Sequence, residues 1–463
     1  MGKITGDFSV HNKIIKRPIE RGVVNKMSFF KLGRVRTPHR KNTAKMKAER
    51  MPLPKSVLLP VVQHIGAPAV PVVKPGDKVC VGTLVAEAGG YVSSPVYSSV
   101  SGTVSKIEDY LLSNGRFCLA IRIESDGEMT PDPGITPPEV SDLDSFISAV
   151  RTSGVVGLGG AGFPTAVKLD AIKKGVINKI IINGAECEPY ITSDTRTMID
   201  DTEYIVEGVK ELEKYVQADE IIIGIEENKQ ECIEKISAAF LEDSLVRVER
   251  MPSTYPQGAE KVLIYNTTGR AVPEGGLPAD VGCLVINVTT LAFIAKYLHT
   301  GMPLVEKTVT VDGSAVKTPK NVIVPIGAPI SDLIDFAGGF SDEAGKVLYG
   351  GPMMGVAVGD ISAPILKNTN AIVALTQKEA RLPEQFPCVH CGRCAENCPI
   401  GLNPTLFARA MGVADSAERK ARLNEAKINL CIECGCCSFV CPSHRPLVET
   451  NRLAKADMRN SKK

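Results

Sequence analysis

The chain has 463 residues, 44% of them hydrophobic, with a formal net charge of +2. That is enough for ordinary cores over roughly three or four domains of ~100–200 residues each. No run reaches the ~18 consecutive apolar residues of a membrane helix. The best stretch, residues 285–298, is broken by Asn287, Thr289, Thr290 and Lys296, so any membrane association is expected to be peripheral. The charge is uneven: residues 1–50 hold 14 Lys and Arg against three acids (Asp7, Glu20, Glu49), and the rest hold 40 against 49. This basic N-terminal arm, residues 1–50, suits an anionic partner, anionic lipid headgroups or a solvated leader; nucleic acid is not expected as a partner. The N-terminus has no hydrophobic signal core, and Gly6 stands where myristoylation needs Ser or Thr.

Residues 51–128 read as β-rich. Short apolar runs at 57–59 and 70–73 are followed by the turn signal Pro75-Gly76-Asp77, and Val79, Val81, Leu84 and Val85 continue in strand style. The stretch resembles the barrel-sandwich hybrid fold of biotinyl and lipoyl domains. Those carriers present a lysine at a hairpin tip; here Ala88-Gly89-Gly90-Tyr91 offers none, so a structural role is expected.

A loop rich in Pro and acids precedes residues 138–300. Asp142 can cap a helix whose apolar face is Leu143, Phe146, Ile147 and Val150. Next comes Gly157-Leu158-Gly159-Gly160-Ala161-Gly162-Phe163-Pro164-Thr165, then a helical stretch carrying Lys168. Glycines let backbone N–H groups approach a bound anion, and a helix N-terminus adds a favourable dipole. A mere tight turn is the plainer reading, and the dinucleotide fingerprint opens after a strand, whereas a helix precedes this loop. The buried-strand run at 179–183 ends in Asn183-Gly184-Ala185-Glu186-Cys187-Glu188-Pro189-Tyr190, where open α/β sheets bind ligands. Further strands are expected at 220–225 and 281–288, with a helix at 229–241 between them. The alternation argues for a mostly parallel, Rossmann-like sheet. Residues 301–366 return to strands at 307–311 and 322–325, with a helix at 330–336.

The most specific signal lies in residues 380–450. C-V-H-C-G-R-C-A-E-N-C-P starts at Cys388, and C-I-E-C-G-C-C-S-F-V-C-P starts at Cys431. Each is C-x2-C-x2-C-x3-C-P, the spacing that holds a [4Fe–4S] cubane and lends its fourth cysteine to the other cluster. Cys388, Cys391 and Cys394 with Cys441 therefore form one ligand set; Cys431, Cys434 and Cys437 with Cys398 form the second. Zinc sites pair separate C-x2-C units or use histidines, so they are disfavoured. Cys436 sits inside a run, but the spacing gives the ligand role to Cys437. The remaining cysteines have no framework spacing and read as reduced cytosolic thiols. The 32 residues between Cys398 and Cys431 point to an α-helical two-cluster ferredoxin domain.

"GLGGAGFPTAVK", "NGAECEPY", "YPQGAEK", "GGPMMG" and the two cysteine runs, in this order, resemble the C subunit of the Rnf-type ion-translocating ferredoxin:NAD oxidoreductases (the RnfC family). The middle also resembles the flavin-bearing, NADH-oxidising subunit of respiratory complex I. The resemblance implies a multidomain α/β plus β architecture. It comprises a barrel-sandwich hybrid (51–128), a Rossmann-like FMN/NADH domain (138–300), a β-grasp SLBB domain (301–366) and the dicluster domain (380–450). It implies that Gly159, Gly160, Gly162 and Lys168 contact FMN, with Asn183, Glu186 and Gly258 completing that site. Phe163 would stack on the nicotinamide or adenine, and Glu188 and Glu260 would face NADH. Ala185 and Ala259-Glu260 depart from complex I, which has an acid and paired acids there.

The expected cofactors are thus FMN and two [4Fe–4S] clusters, with NAD(H) as substrate. NADH supplies two electrons as a hydride, a cubane accepts one at a time, and a flavin converts between them. No residue is expected to do acid–base chemistry. The expected partners are the other subunits of a membrane electron-transport complex, linked to ferredoxin, on the cytoplasmic face of the cell membrane. Two alternatives stand beside this. One is a soluble relay from NADH to a dedicated proline- or cobalamin-type reductase; the other is a cluster scaffold without flavin.

Overall fold

Four sheets and a cysteine-rich helical region make up the described residues, 33–113 and 115–459, of this computed structural model. Residues 1–32, most of the basic arm, and residues 460–463 lie outside them.

The barrel-sandwich part follows strand alternation. Ser56–Pro60, Phe117–Ser125, Gly102–Leu111 and Lys78–Val79 form one antiparallel sheet in that order, facing a smaller sheet of Val70–Pro71, Leu84–Glu87 and Val96–Tyr97. Val57, Leu59, Val104, Ile121 and Ile123 turn inward and are buried, while Thr103, Ser105 and Glu124 face water.

The next sheet is wholly parallel, ordered Val246–Met251, Glu220–Glu226, Lys179–Asn183, Cys283–Asn287. Parallel strands lie between helical layers and so read as unbroken apolar runs; Ile180, Ile181, Ile182, Ile221, Ile222 and Ile223 are all fully buried. The chain steps from Lys179–Asn183 outward through two strands, then returns to the other side with Cys283–Asn287. The strand order therefore reverses between those two strands, where their carboxyl ends diverge and ligands bind in open α/β sheets. Asn183 and Asn287 stand side by side in register there. The apolar stretch at 285–298 is the end of this strand joined to the helix Val288–Thr300, and no described helix is long and apolar enough to cross a membrane.

The β-grasp sheet has six strands in the order Glu49–Arg50, Lys320–Pro325, Glu306–Asp312, Ala371–Thr376, Ala344–Tyr349, Val356–Ala357, with the helix Ile330–Phe336 packed on it. Two of these strands lie beyond 301–366. Ala371–Thr376 pairs at the centre of the sheet, and Glu49–Arg50 comes from the basic segment. Residues 33–50 are thus built into the body: Val35 and Thr43 are buried, and Val35 pairs with Tyr255.

The cysteine region folds into short helices, as expected. Asp415 caps Ser416–Glu425 by accepting from the Glu418 N–H at 2.7 Å. A small core of Leu402, Phe407, Ala410, Leu423, Ile428 and Ala454 holds Pro404–Met411, Ser416–Glu425 and Leu447–Arg459 together.

Candidate functional site

The glycine loop is closed at its neck and open at its crown. Val156 bridges Pro164, and the Gly157 N–H donates to the Phe163 carbonyl at 2.9 Å. Leu158 N–H donates to Thr290 Oγ1 at 3.0 Å, which pins the loop to the helix after the Cys283–Asn287 strand. The barrel-sandwich domain supports the far side, where Ile65 N–H donates to the Gly162 carbonyl at 3.2 Å. Gly159 has no room for a side chain, since a Cβ there would stand 2.4 Å from Asn287 Nδ2. Gly160 is the opposite case, exposed with nothing within 4 Å of its would-be Cβ. Gly162 adopts φ 71°, which an L side chain rarely does. Phe163 is half-buried beside the neck.

Beneath this crown the strand ends meet. Asn183 Nδ2 donates to the Gly258 carbonyl at 3.0 Å, and a Cβ on Gly258 would lie 2.5 Å from the Ala185 carbonyl. Lys168 Nζ donates to Glu260 Oε1 at 2.7 Å and to the Val285 carbonyl at 3.0 Å. Lys168, Asn183, Gly258 and Glu260 are therefore gathered at the carboxyl ends of the parallel strands, with Gly159 over Asn287. The other two acids are engaged elsewhere. Glu186 caps the helix Ser193–Asp200, accepting from Asp194 N–H at 2.8 Å and Thr195 Oγ1 at 2.7 Å. Glu188 accepts from the N–H groups of Met353 (3.1 Å) and Met354 (2.7 Å) in the "GGPMMG" segment. Burial pushes its carboxyl up to about 7.

Sequence reasoning passed over several residues that complete this arrangement. Asp194 is buried behind Gly159, accepting from Asn287 Nδ2 at 2.8 Å and Thr289 Oγ1 at 2.6 Å. Burial, together with the nearby Glu186 charge, pushes it up to about 6. Lys307 and Lys367 are also buried, both pushed down to about 7 by desolvation. Lys367 Nζ donates to the Gly154 carbonyl at 2.7 Å, joining the segment before the Ala371–Thr376 strand to the approach of the glycine loop. An Asn at a strand's end was the one available signal; the buried lysines carried none.

The two cysteine runs repeat one backbone. His390 and Glu433 take φ 54° and 57°, and the glycines after the second cysteine, Gly392 and Gly435, take 77° and 79°. The eight assigned sulfurs divide between two hollows. One is lined by Cys388, Cys391, Cys394 and Cys441. The other is lined by Cys398, Cys431, Cys434, Cys436 and Cys437. Among the described residues no three His, Cys, Asp or Glu come together as a site for a single metal ion. Cys391 is exposed, whereas Cys434 and Cys437 are buried. A hydrogen bond from Cys436 holds the Cys434 thiol below its usual range and pushes Cys436 well above it. The Cys436 thiol also donates to the Tyr255 carbonyl at 3.9 Å. Tyr255, from "YPQGAEK", donates its hydroxyl to the Cys434 carbonyl at 2.7 Å, so the parallel-sheet domain touches the second hollow directly.

Thiol-lined hollows fit iron–sulfur cubanes, and a glycine-rich crown over a switch point fits a flavin nucleotide. Family models agree. The RnfC barrel sandwich hybrid domain matches residues 29–128, the Nuo51 FMN-binding domain 150–296, the SLBB domain 308–357 and the 4Fe-4S dicluster domain 384–445. The C subunit of the Clostridium ljungdahlii proton-translocating ferredoxin:NAD(+) oxidoreductase complex is 43% identical over 372 residues, 80% of this chain and 81% of that one. Its Na(+)-translocating counterpart from Acetobacterium woodii is 43% identical over 380 residues, 81% of this chain and 86% of that one. A solved NAD+-reducing [NiFe]-hydrogenase aligns at TM-score 0.49 and 19% identity over 68% of this chain and 63% of that one, too loosely to carry an argument. The chain belongs to the family of C subunits of ion-translocating ferredoxin:NAD(+) oxidoreductase complexes.

Proposed function

We propose that the chain is the peripheral subunit that exchanges hydride with NAD(H) at FMN and single electrons through two [4Fe–4S] clusters, within an ion-translocating complex at the cytoplasmic face of the membrane. The observation that carries this is the contact between the two halves: Tyr255 links the domain of the glycine crown to the carbonyl of Cys434. When bound, FMN converts hydride into single electrons and the cubanes pass those electrons on.

The residues supply position and exclusion. The backbone of Gly159, Gly160 and Gly162 offers close approach to the flavin phosphate, with Lys168 as the nearby cation. Asn183 and Gly258 shape the floor, and Glu186 holds the helix beneath it. Phe163 and Glu260, both partly exposed at the rim, are placed to meet the dinucleotide. Glu188 serves by fixing residues 353–354. Cys388, Cys391, Cys394 and Cys441 hold the cluster nearer solvent, and Cys398, Cys431, Cys434 and Cys437 hold the one against Tyr255. The exposed Cys391 side is where a partner protein exchanges electrons.

Iron and flavin quantitation on anaerobically purified protein tests the reading. About eight irons per chain, four for each cubane, and one FMN are expected; about four irons, or no flavin after reconstitution, overturns it.

A further inference from the structure

Lys41 lies in the basic N-terminal segment, yet its ammonium is buried. A lysine ammonium has three donors and no acceptor, and burial is tolerated only if all three are met. Lys41 Nζ donates to the carbonyls of Glu186, Glu188 and Ile191, each at 2.7 Å. A planar guanidinium does not match three carbonyls converging on one point.

The turn it grips carries an unfavourable backbone conformation. Tyr190 sits at φ 72°, the left-handed region that a bulky side chain avoids. The segment meets this turn along its length. His39 accepts from Tyr190 N–H at 3.1 Å, Arg40 donates to the Tyr190 hydroxyl at 2.7 Å, and Thr43 Oγ1 lies 2.5 Å from Thr192 Oγ1.

The two ends of the turn are held differently. Its start is anchored independently of Lys41. Gly184 N–H donates to the Gly224 carbonyl at 3.0 Å, and the Glu186 carbonyl has a second donor in Lys229 at 3.1 Å. Residues 188–191 are held by the segment together with the packing of Tyr190 and Ile191 against Leu348, Ala371 and Val373, and Lys41 is the cation that joins the Glu188 and Ile191 carbonyls. Glu188 in turn holds the N–H groups of Met353 and Met354. The Met353 carbonyl presses on the second cysteine run, where a Cβ on Gly435 would stand 2.7 Å from it. Arg452, on the last described helix, donates to the Met354 carbonyl at 2.9 Å. The start of the segment reaches the same place: Val35 pairs with Tyr255, and Gly33 lies against the backbone of Asn397 and Cys398.

We propose that Lys41 is a positioning residue for electron transfer, fixing residues 188–191 and, through Glu188 and residues 353–354, the seat of the Cys434–Gly435 turn against the flavin-binding domain. This rests on the function proposed above. Its consequence is a split: without Lys41, reduction at the nucleotide end persists while transfer to the cysteine region slows.

The test uses full-length K41R, K41Q and K41M, reconstituted with FMN, iron and sulfide. Iron, flavin and Tm are measured, and anaerobic stopped-flow mixing with NADH follows flavin and cluster absorbance separately. In K41Q and K41M, flavin bleaching at near wild-type rate with unchanged KM for NADH is expected. Cluster bleaching slows about tenfold or more, as misplacement on the ångström scale produces, with K41R in between. Cluster bleaching at the wild-type rate in K41Q overturns the proposal. So does a joint slowing of both phases in step with Tm, or loss of flavin with iron intact. If K41M fails to fold, K41Q and K41R, which keep donors, decide by the same criteria. If flavin in the wild-type protein does not bleach at all, the functional reading falls, and this proposal with it.

Discussion

Two glycines of the same site are expected to respond to one added methyl group in opposite ways. A Cβ on Gly160 would meet nothing within 4 Å, and its backbone is not in the left-handed region. Gly160→Ala is therefore expected to change folding stability by no more than about 0.5 kcal/mol, a Tm shift within about 2 °C. A Cβ on Gly258 would stand 2.5 Å from the Ala185 carbonyl, a backbone atom fixed by the Asn183 strand end. Overpacking of that kind costs about 1–3 kcal/mol, or about 2–12 °C in Tm. Flavin affinity should reverse the distinction in origin. In Gly160→Ala the new methyl group occupies the open approach to the backbone N–H groups. Loss of one hydrogen bond to a charged phosphate costs about 1.5–3 kcal/mol, about 10- to 150-fold in Kd. The assay pairs thermal unfolding of flavin-free protein with titration of FMN fluorescence quenching. If Gly160→Ala binds FMN like the wild type, the crown is not the flavin seat; if it loses as much Tm as Gly258→Ala, the space beside Gly160 is not open.

Tyr255→Phe removes the donor to the buried Cys434 carbonyl. It should cost about 1–3 kcal/mol and lower iron retention; a variant with unchanged Tm and iron content refutes the contact. Glu188 is held up at about 7 against an ordinary value of 4.5. The folded state therefore binds its proton more tightly than the unfolded state, and this contribution to stability is lost as pH rises from about 4.5 to about 7. Thermal unfolding of the wild type should fall relative to Glu188→Gln across that window, and parallel curves would count against the burial argument. Chelating iron should expose Pro404–Met411, Ser416–Glu425 and Leu447–Arg459 to hydrogen exchange, because their core is small, while Ile180, Ile181 and Ile182 stay protected. Uniform exchange across both regions would show that the cysteine region stands without metal.

What could be read from the chain was local. The cysteine spacing is a ligand pattern in itself, and the apolar runs at 179–183 and 220–225 lie within observed strands because a buried parallel strand has no polar face. The helix at 330–336 agrees residue for residue. Val246–Met251 escaped notice because it is a partly exposed edge strand whose charges interrupt the apolar pattern. The Glu49–Arg50 strand is two charged, exposed residues, legible only through its pairing with Val322 and Ile323. Lys41, Lys307 and Lys367 look like solvated cations in sequence, and only carbonyls far along the chain make their burial tolerable. Asp194 and Asn287 meet because the strand order reverses, which no local window contains.

Anaerobic addition of NADH to the fully reconstituted protein bears most directly on the central claim. Loss of flavin absorbance followed by the electron paramagnetic resonance signals of reduced [4Fe–4S] clusters is expected. A spectrum in which neither the flavin nor the clusters change would contradict the account.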